Sequence, residues 1–183
     1  MTAGDVINYL HLTPLEVEGG WVRQTYRSAR PREADSPDSG LRDYRPAASA
    51  IYYLLTREED SFSALHSLPM DEVWHFYMGA PVELLLLYPT GESRRVILGT
   101  DLQAGQQPQL VIPAGVWQGA RLAGETGDWA LTGCTMAPGF SPRDYTGGDR
   151  NRLIRQYPRE EELIRALTRP DAPLYMNSSS ESL

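Results

Sequence analysis

Short apolar runs separated by polar turns dominate the chain from Ala47 to Met136. The runs are rich in β-branched, aromatic and leucine residues, which is typical of strands, and the turn Pro89-Thr-Gly-Glu favours a hairpin. About eight closely spaced strands with no helix between them indicate an all-β antiparallel sandwich or barrel. The predicted strands are Ser49–Leu55, Ser61–Leu68, Glu72–Met78, Val82–Tyr88, Arg94–Leu98, Gln109–Ile112, Trp117–Arg121 and Trp129–Met136.

Helical spacing of apolar residues occurs only towards the two ends of the chain. It predicts a short helix at Asp5–Leu10 and two helices, Arg150–Gln156 and Arg159–Thr168, after the β region. One further strand, Trp21–Arg27, is predicted near the start. The glycine pair at positions 19 and 20 indicates a backbone bend or a close approach just before that strand.

The length of 183 residues fits one domain with a sizeable core. Residues 28–46 are polar and rich in proline, so they are predicted to form a surface loop. Residues 170–183 end in a serine-rich stretch and are predicted to be a disordered tail, which leaves residues 1–169 as the single domain.

The net charge of −7 and the pI of about 5.0 argue against a nucleic-acid or anionic-membrane partner. The longest apolar runs, such as Val82 to Tyr88, are too short to span a bilayer. The first ten residues lack the basic and apolar regions of a signal peptide, so a cytoplasmic location is expected.

Missing residue types narrow the chemistry. All 17 basic residues are arginine, so a Schiff-base lysine and a P-loop lysine are excluded. The single cysteine, Cys134, excludes an internal disulfide and any site built from several cysteines, and its apolar run predicts a buried, inert thiol.

The reactive residues that remain are concentrated between Ser61 and Gly79. This stretch contains two of the three histidines, His66 and His75, together with Asp71 and Glu72. It reads as two strands joined by a turn at a proline, and imidazole and carboxylate groups on adjacent strands can meet as metal ligands or as an acid/base pair.

Two spaced motifs in the β region carry a resemblance to a known family. In the first, His66 and Glu72 keep the spacing of a histidine and a glutamate, while Leu68 takes the place of a second histidine. In the second, Pro113-Ala-Gly is present, but Gln118 stands where a histidine is usual. Both motifs resemble those of the cupins, whose fold is a double-stranded β-helix, the jelly-roll barrel.

The chain is more specifically similar to the cupin_5 group, also called DUF985. The resemblance implies a cupin barrel with a short N-terminal helix and C-terminal helices, a homodimer, a pocket inside the barrel and a likeness to RmlC-type sugar-nucleotide epimerases. One departure is that Glu16 and Val17 stand where the group usually has His-Pro. The matching segments are residues 18–21, 23–27, 63–66, 71–77, 113–118 and 133–140.

Strand alternation then predicts which side chains face the pocket. His66 faces inward with Leu68, and Gln118 shares the inner face with Ala120. A bulge near Met70 or Asp71 would reverse the phase of the following strand. Without that bulge Glu72, Trp74, Phe76 and Met78 point inward and Val73, His75 and Tyr77 point outward; with it His75 and Tyr77 enter the pocket.

The leading hypothesis is a small-molecule isomerase or epimerase of the sugar type that uses no tightly bound metal. His66 would act as the general base, and Glu72 or a tyrosine as the acid. Trp74 and Phe76 would line the pocket. Arg23 and Arg121 are candidates for binding a phosphate or carboxylate of the substrate.

Two alternatives remain open. A metal-dependent enzyme would hold a divalent ion loosely through His66, Glu72 and Gln118, because an amide oxygen is a weak ligand compared with imidazole. A non-catalytic protein would bind a sugar or nucleobase without turnover. His75, as an outward-facing strand residue, is a candidate for binding or for a subunit contact.

Overall fold

The computed structural model describes residues 1–29, 31–32, 45–58, 61–170 and 172–176, which form thirteen strands, three α-helices and two 3₁₀ helices. The helices are α1 (Ala3–Leu10), α2 (Arg150–Gln156) and α3 (Glu161–Ala166), with 3₁₀ turns at Pro142–Asp144 and Pro158–Glu160. The strands are β1 (Thr13–Pro14), β2 (Trp21–Arg27), β3 (Pro31–Arg32), β4 (Arg45–Pro46), β5 (Ser49–Thr56), β6 (Ser63–Ser67), β7 (Glu72–Gly79), β8 (Val82–Leu87), β9 (Ser93–Leu98), β10 (Gln109–Ile112), β11 (Trp117–Leu122), β12 (Trp129–Met136) and β13 (Thr146–Gly147).

Two antiparallel sheets face each other. One has six strands in the order β1-β2-β5-β12-β7-β10, and the other has five in the order β13-β6-β11-β8-β9. Their inner faces enclose one apolar cluster that includes Tyr53, Trp74, Leu84, Leu86 and Leu98, each no more than 1% exposed. Alternate residues of the longer strands therefore point into one shared interior, as a jelly-roll barrel requires.

Helices cover part of each outer face. The two C-terminal helices pack Leu153, Leu163 and Ile164 on the outside of the five-stranded sheet. Helix α1 places Val6 against Leu54 on the outside of the six-stranded sheet. None of the helices in the described part of the chain is long and apolar enough to cross a membrane.

The predicted elements agree closely with this architecture. All nine predicted strands and the three helices are present, with ends that move by no more than a few residues. The glycine prediction is also confirmed, because Gly20 has a φ of 70° and a Cβ there would lie 2.8 Å from the carbonyl oxygen of Leu54. Only Gly fits this bend without strain.

Two segments differ from the prediction made from the sequence, and each lies partly outside the described residues. The predicted surface loop at 28–46 contains a short β3–β4 pair, while residues 33–44 lie outside the described residues. Within the predicted tail, residues 172–176 contact the barrel: Gly147 N–H donates to the carbonyl of Leu174 at 2.7 Å, and Met176 is 8% exposed. Residues 177–183 lie outside the described residues.

Strand β1 pairs with only the first two residues of β2, so the rest of β2 forms an edge of the described sheet. An edge strand can pair with another chain. Dimerisation stays a prediction.

Candidate active site

A small cavity lies at one end of the barrel interior. Its volume is about 50 Å³, enough for a ligand of only a few atoms. The polar groups on its wall are few, and the rest of the lining is apolar. The lining residues are Leu15, Glu18, Val22, Gln24, Ser49, Ile51, His66, Leu68, Glu72, Cys134, Met136, Phe140 and Met176.

His66 is held in one orientation on β6. Its side chain is 2% exposed, and Nδ1 lies 2.8 Å from the carbonyl oxygen of Ala64. Because a carbonyl only accepts hydrogen bonds, Nδ1 is the donor in this contact, and in the neutral ring Nε2 then keeps its lone pair. Tyr145 stacks on the ring with centroids 5.1 Å apart. Within the described residues Nε2 has no hydrogen-bond partner, so it is the nitrogen available to the cavity.

Glu72 is the second polar group of the cavity wall and begins strand β7. One of its oxygens, Oε2, accepts hydrogen bonds from Trp74 Nε1 at 3.1 Å and from Gln118 Nε2 at 2.8 Å. Burial raises the pKa of the Glu72 carboxyl, nearby His66 lowers it, and Glu18 raises it further. The carboxyl group therefore keeps its proton to a higher pH than an exposed glutamate.

Glu18 is a cavity residue that strand phasing could not find, because it lies in the loop between β1 and β2. Its Oε1 accepts a hydrogen bond from Ser63 Oγ at 2.7 Å and lies 4.0 Å from His66 Nδ1. The Glu18 backbone is fixed as well, since its carbonyl accepts a hydrogen bond from the N–H of Ala64 at 2.8 Å. The available signal was its place in the Glu-Gly-Gly segment directly before β2.

The wall of the cavity also includes Cys134, Phe140 and Met176. Cys134 is buried as predicted, and burial together with the neighbouring Glu72 and Glu18 carboxylates raises the pKa of its thiol well above the ordinary value. Such a thiol stays protonated and inert. Phe140 and Met176 come from segments after the last long strand, so alternation along strands gave no signal for them.

The predicted residues Gln118, Trp74 and Phe76 lie behind the cavity and do not line it. The Gln118 amide donates to Glu72, and its oxygen accepts the Trp74 N–H at 2.9 Å. Trp74 and Gln118 thus orient the Glu72 carboxylate from the core side. Phe76 packs against the apolar core cluster. The prediction that these three face the interior is confirmed, but the cavity lies on the other side of Glu72.

His75 lies outside the barrel. The alternation of side chains along β7 predicts this position when no bulge is present near Met70 or Asp71. Its Nε2 is 3.1 Å from Thr135 Oγ1, its Nδ1 is 3.2 Å from Gln109 Nε2, and its ring stacks on Tyr77. The strand does contain a register shift, but it falls at Tyr77, where Thr132 pairs with Phe76 and Leu131 with Met78. The inward placement of Met78 is therefore wrong, and its side chain is 44% exposed.

Arg23 and Arg121 also lie away from the cavity. Arg23 sits over the ring of Tyr52, 5.4 Å from its centroid, on the outer face of the six-stranded sheet. Arg121 donates to Glu83 at 3.0 Å on the outer face of the five-stranded sheet. Strand alternation puts both guanidinium groups opposite the interior, so their predicted role in binding a substrate anion finds no support in this cavity.

A family model described as Cupin superfamily (DUF985) matches residues 4–147. The chain belongs to the cupin superfamily. This cupin is 29% identical over 136 residues to the uncharacterized protein YML079W of Saccharomyces cerevisiae, a match that covers 70% of this chain and 67% of the yeast protein.

Two solved structures resemble this cupin over most of its length. Protein SO0799 from Shewanella oneidensis has a TM-score of 0.79 and 33% identity, covering 93% of this chain and 99% of its own. A hypothetical protein from Leishmania major has a TM-score of 0.79 and 28% identity, covering 92% and 99%. These likenesses establish the family and the fold.

The donor set of this cupin does not fit the metal site that its first motif implies. Leu68 replaces one imidazole with an alkyl group, and the Gln118 oxygen is already used by the Trp74 N–H. In the described part of the chain no three histidine, cysteine or carboxylate side chains are grouped to hold a metal ion. Imidazole and carboxylate ligands in larger number are needed for tight binding of a transition metal, so we derive no step through a metal.

The Glu72→Gln variant is expected to be more stable than the wild type at neutral pH. The ordinary carboxyl pKa is 4.5, and burial raises that of folded Glu72. The folded chain therefore binds this proton more tightly than the unfolded chain, and the stability from Glu72 falls as pH rises from about 4.5 through the folded pKa. Glutamine cannot ionise and avoids this loss.

Denaturant unfolding at several pH values checks this expectation. The advantage of Glu72→Gln should be present above the folded pKa of Glu72 and shrink towards pH 4. Glu92→Gln, at an exposed carboxylate beside the turn between β8 and β9, is the matched control and should show no such dependence. An equal profile for the two variants would contradict a raised Glu72 pKa.

Proposed function

We propose that this cupin is an isomerase or epimerase that moves a proton on a sugar-type molecule as small as a triose, held in the cavity. The observation that carries the proposal is the presence of two buried titratable groups, His66 and Glu72, on one small cavity wall. The free Nε2 lone pair of His66 and the raised pKa of Glu72 supply a base and an acid on one small wall.

The proposed step begins at a carbon next to a carbonyl group. His66 Nε2 takes a proton from that carbon, the C–H electron pair forms a C=C bond, and the carbonyl oxygen accepts a proton from Glu72. Return of the proton from His66 to the former carbonyl carbon, while the hydroxyl group on the original carbon gives its proton to Glu72, yields an isomer. An epimer results when the original carbon instead takes a proton from solvent on the other face, the first hydroxyl group returns its proton to Glu72, and His66 releases its proton to solvent. Both exchanged protons are restored, so no redox partner is needed.

Neighbouring side chains support these two roles. The Ala64 carbonyl accepts the Nδ1 proton of His66 and stabilises the imidazolium that forms. Glu18, 4.0 Å from Nδ1, adds a favourable negative charge. Trp74 and Gln118 donate to Glu72 Oε2 and stabilise its carboxylate after it gives up its proton.

Solvent exchange in D₂O tests this proposal directly. The protein is incubated with small hydroxy-aldehydes and hydroxy-ketones, beginning with dihydroxyacetone and glyceraldehyde. NMR should show loss of the C–H signal next to the carbonyl, with deuterium entering faster than in a blank without protein. The same exchange in a sample that has been treated with a chelator would show that the protein's own groups suffice.

A second candidate function, binding without turnover, is favoured by the enclosure of the cavity. The wall is mainly apolar, and Met176 and Phe140 narrow the interior to about 50 Å³. Such closure suits retention of a ligand. A compound that raises the melting temperature but is recovered without deuterium after long incubation would support this function over catalysis.

A further inference from the structure

The chemical groups of the cavity are shielded from solvent. His66, Glu72 and Cys134 are each no more than 7% exposed, and the space beside them is about 50 Å³. A ligand of several atoms therefore enters only when part of the wall moves, as lids and loops do around many enclosed sites. Which part moves is decided by how each wall segment is held.

Residues 172–176 form a strap that contributes Met176 to the wall. Among the described residues one backbone hydrogen bond joins the strap to the barrel, from the Gly147 N–H to the Leu174 carbonyl at 2.7 Å. Leu174 and Tyr175 are 38% and 67% exposed, so Met176 is the buried side chain that holds the strap down. A segment with few buried apolar side chains opens at low cost in free energy.

The other irregular segments of the wall are held more firmly. The loop that contains Glu18 is tied to β6 by the Ser63 hydroxyl at 2.7 Å and by the Ala64 N–H at 2.8 Å. Two backbone N–H groups, those of Gly139 and Phe140, fix the next segment to β4 and β5 at 2.9 Å each. Most of the remaining lining residues lie on paired strands of the two sheets. The strap is therefore the part of the described wall that opens most easily.

Gly147 allows the strap to lie next to the strand pair that carries His66. On β13 it is the register partner of His66 on β6. A Cβ at position 147 would lie 3.1 Å from the Leu174 Cα and 3.4 Å from the Pro173 carbonyl oxygen. An alanine at this position thus presses on the strap without changing any residue that lines the cavity.

We propose that the strap is a gate on the cavity and that Met176 limits the size of the ligand. Opening breaks the hydrogen bond between Gly147 and Leu174 and withdraws the Met176 side chain, which connects the cavity to solvent. In the closed state the same side chain occupies space that a longer ligand would need. The size limit rests on the proposed function, whereas opening of the strap does not depend on any turnover.

Cys134 provides a direct measurement of opening. It is the single cysteine of the chain and it lines the cavity, so its modification reports access from solvent. The full chain is treated at constant pH with methyl methanethiosulfonate, which transfers its methylthio group to a thiolate and releases methanesulfinate; mass spectrometry gives the rate. Met176→Ala should label about tenfold faster than the wild type or more, because less apolar surface holds the strap closed. Gly147→Ala should also label faster.

Tyr175→Ala is the matched control, since Tyr175 belongs to the strap but is exposed. It should label at the wild-type rate. Local opening also predicts a wild-type rate that stays nearly constant at low urea concentrations, below the unfolding transition. A rate that rises steeply from the lowest urea concentration would show that labelling needs global unfolding and would overturn the gate. Equal rates for Met176→Ala, Gly147→Ala and Tyr175→Ala would overturn it as well.

Deuterium exchange in D₂O tests the size limit with dihydroxyacetone and erythrulose, two open-chain ketoses that differ by one carbon. The wild type should prefer dihydroxyacetone, and Met176→Ala should raise the ratio of the erythrulose rate to the dihydroxyacetone rate by about tenfold. An unchanged ratio in a Met176→Ala protein that labels faster would reject Met176 as the size limit. Faster labelling with no exchange in either ketose would reject the proposed isomerase and leave the gate standing.

Discussion

Replacing Trp74 by alanine is expected to lower the free energy of unfolding by about 3–5 kcal/mol, the usual range for a fully buried tryptophan. Trp74 is 1% exposed at the centre of the core cluster and packs edge-to-face on Tyr53 with ring centroids 5.8 Å apart. Its loss leaves a cavity that a closed barrel fills only in part. Denaturant unfolding followed by circular dichroism measures the change.

The indole N–H of Trp74 has a separate role that Trp74→Phe isolates. This variant keeps most of the apolar volume but removes the donor to Glu72 Oε2 and Gln118 Oε1. A loss of about 1–3 kcal/mol is expected, because two buried acceptors lose a partner. Trp129→Phe is the control, since its N–H donates near the surface to the carbonyl of Met1. Equal losses for the two phenylalanine variants would contradict the structural role assigned to the Trp74 N–H.

Replacing His66 by asparagine is expected to reduce the rate of solvent deuterium exchange by about 10²–10⁴-fold, the typical contribution of a general base. Asparagine keeps a donor near the position of Nδ1, which bonds to Ala64, and removes the Nε2 lone pair. The expected loss is therefore in the rate, with the ligand affinity much less affected. Exchange rates at saturating and limiting substrate separate the two effects.

His75→Asn is the matched control for this experiment. His75 lies on the outer face beside Thr135 and Gln109, so its replacement should leave the exchange rate at the wild-type value. A His66→Asn protein that exchanges deuterium as fast as the His75→Asn protein would remove His66 from the mechanism. Melting curves of both variants show whether either one has lost its fold.

The strands were predictable because barrel packing imposes a local pattern. Each strand of about six residues must present alternate apolar side chains to one interior, and that period is visible in the sequence. The same period correctly placed His66 and Glu72 inward. It failed at Met78 because the extra residue at Tyr77 shifts the register, and a bulge leaves no mark in the pattern of apolar residues.

The rest of the candidate site depends on contacts between residues far apart in the chain. Glu18 reaches the cavity because Gly20 bends the backbone and Ser63 holds the carboxylate, neither of which follows from periodicity. Tyr145 and Met176 come from irregular segments whose paths are set by pairing with the barrel. His66 and Glu72 could therefore be predicted as cavity residues from the sequence. The second carboxylate of the cavity wall, Glu18, could not.

The residues that line the cavity come from both halves of the chain, from Glu18 near its start to Met176 near its end. The main contacts of the cavity close large loops, such as Glu18 to Ser63 and Glu72 to Gln118, and closing such loops makes barrels slow to fold. The candidate site consequently forms only when the strands and loops that hold these residues have come together. Occupancy of the cavity then stabilises the barrel as one unit, so a bound ligand slows hydrogen exchange even in strands that never touch it.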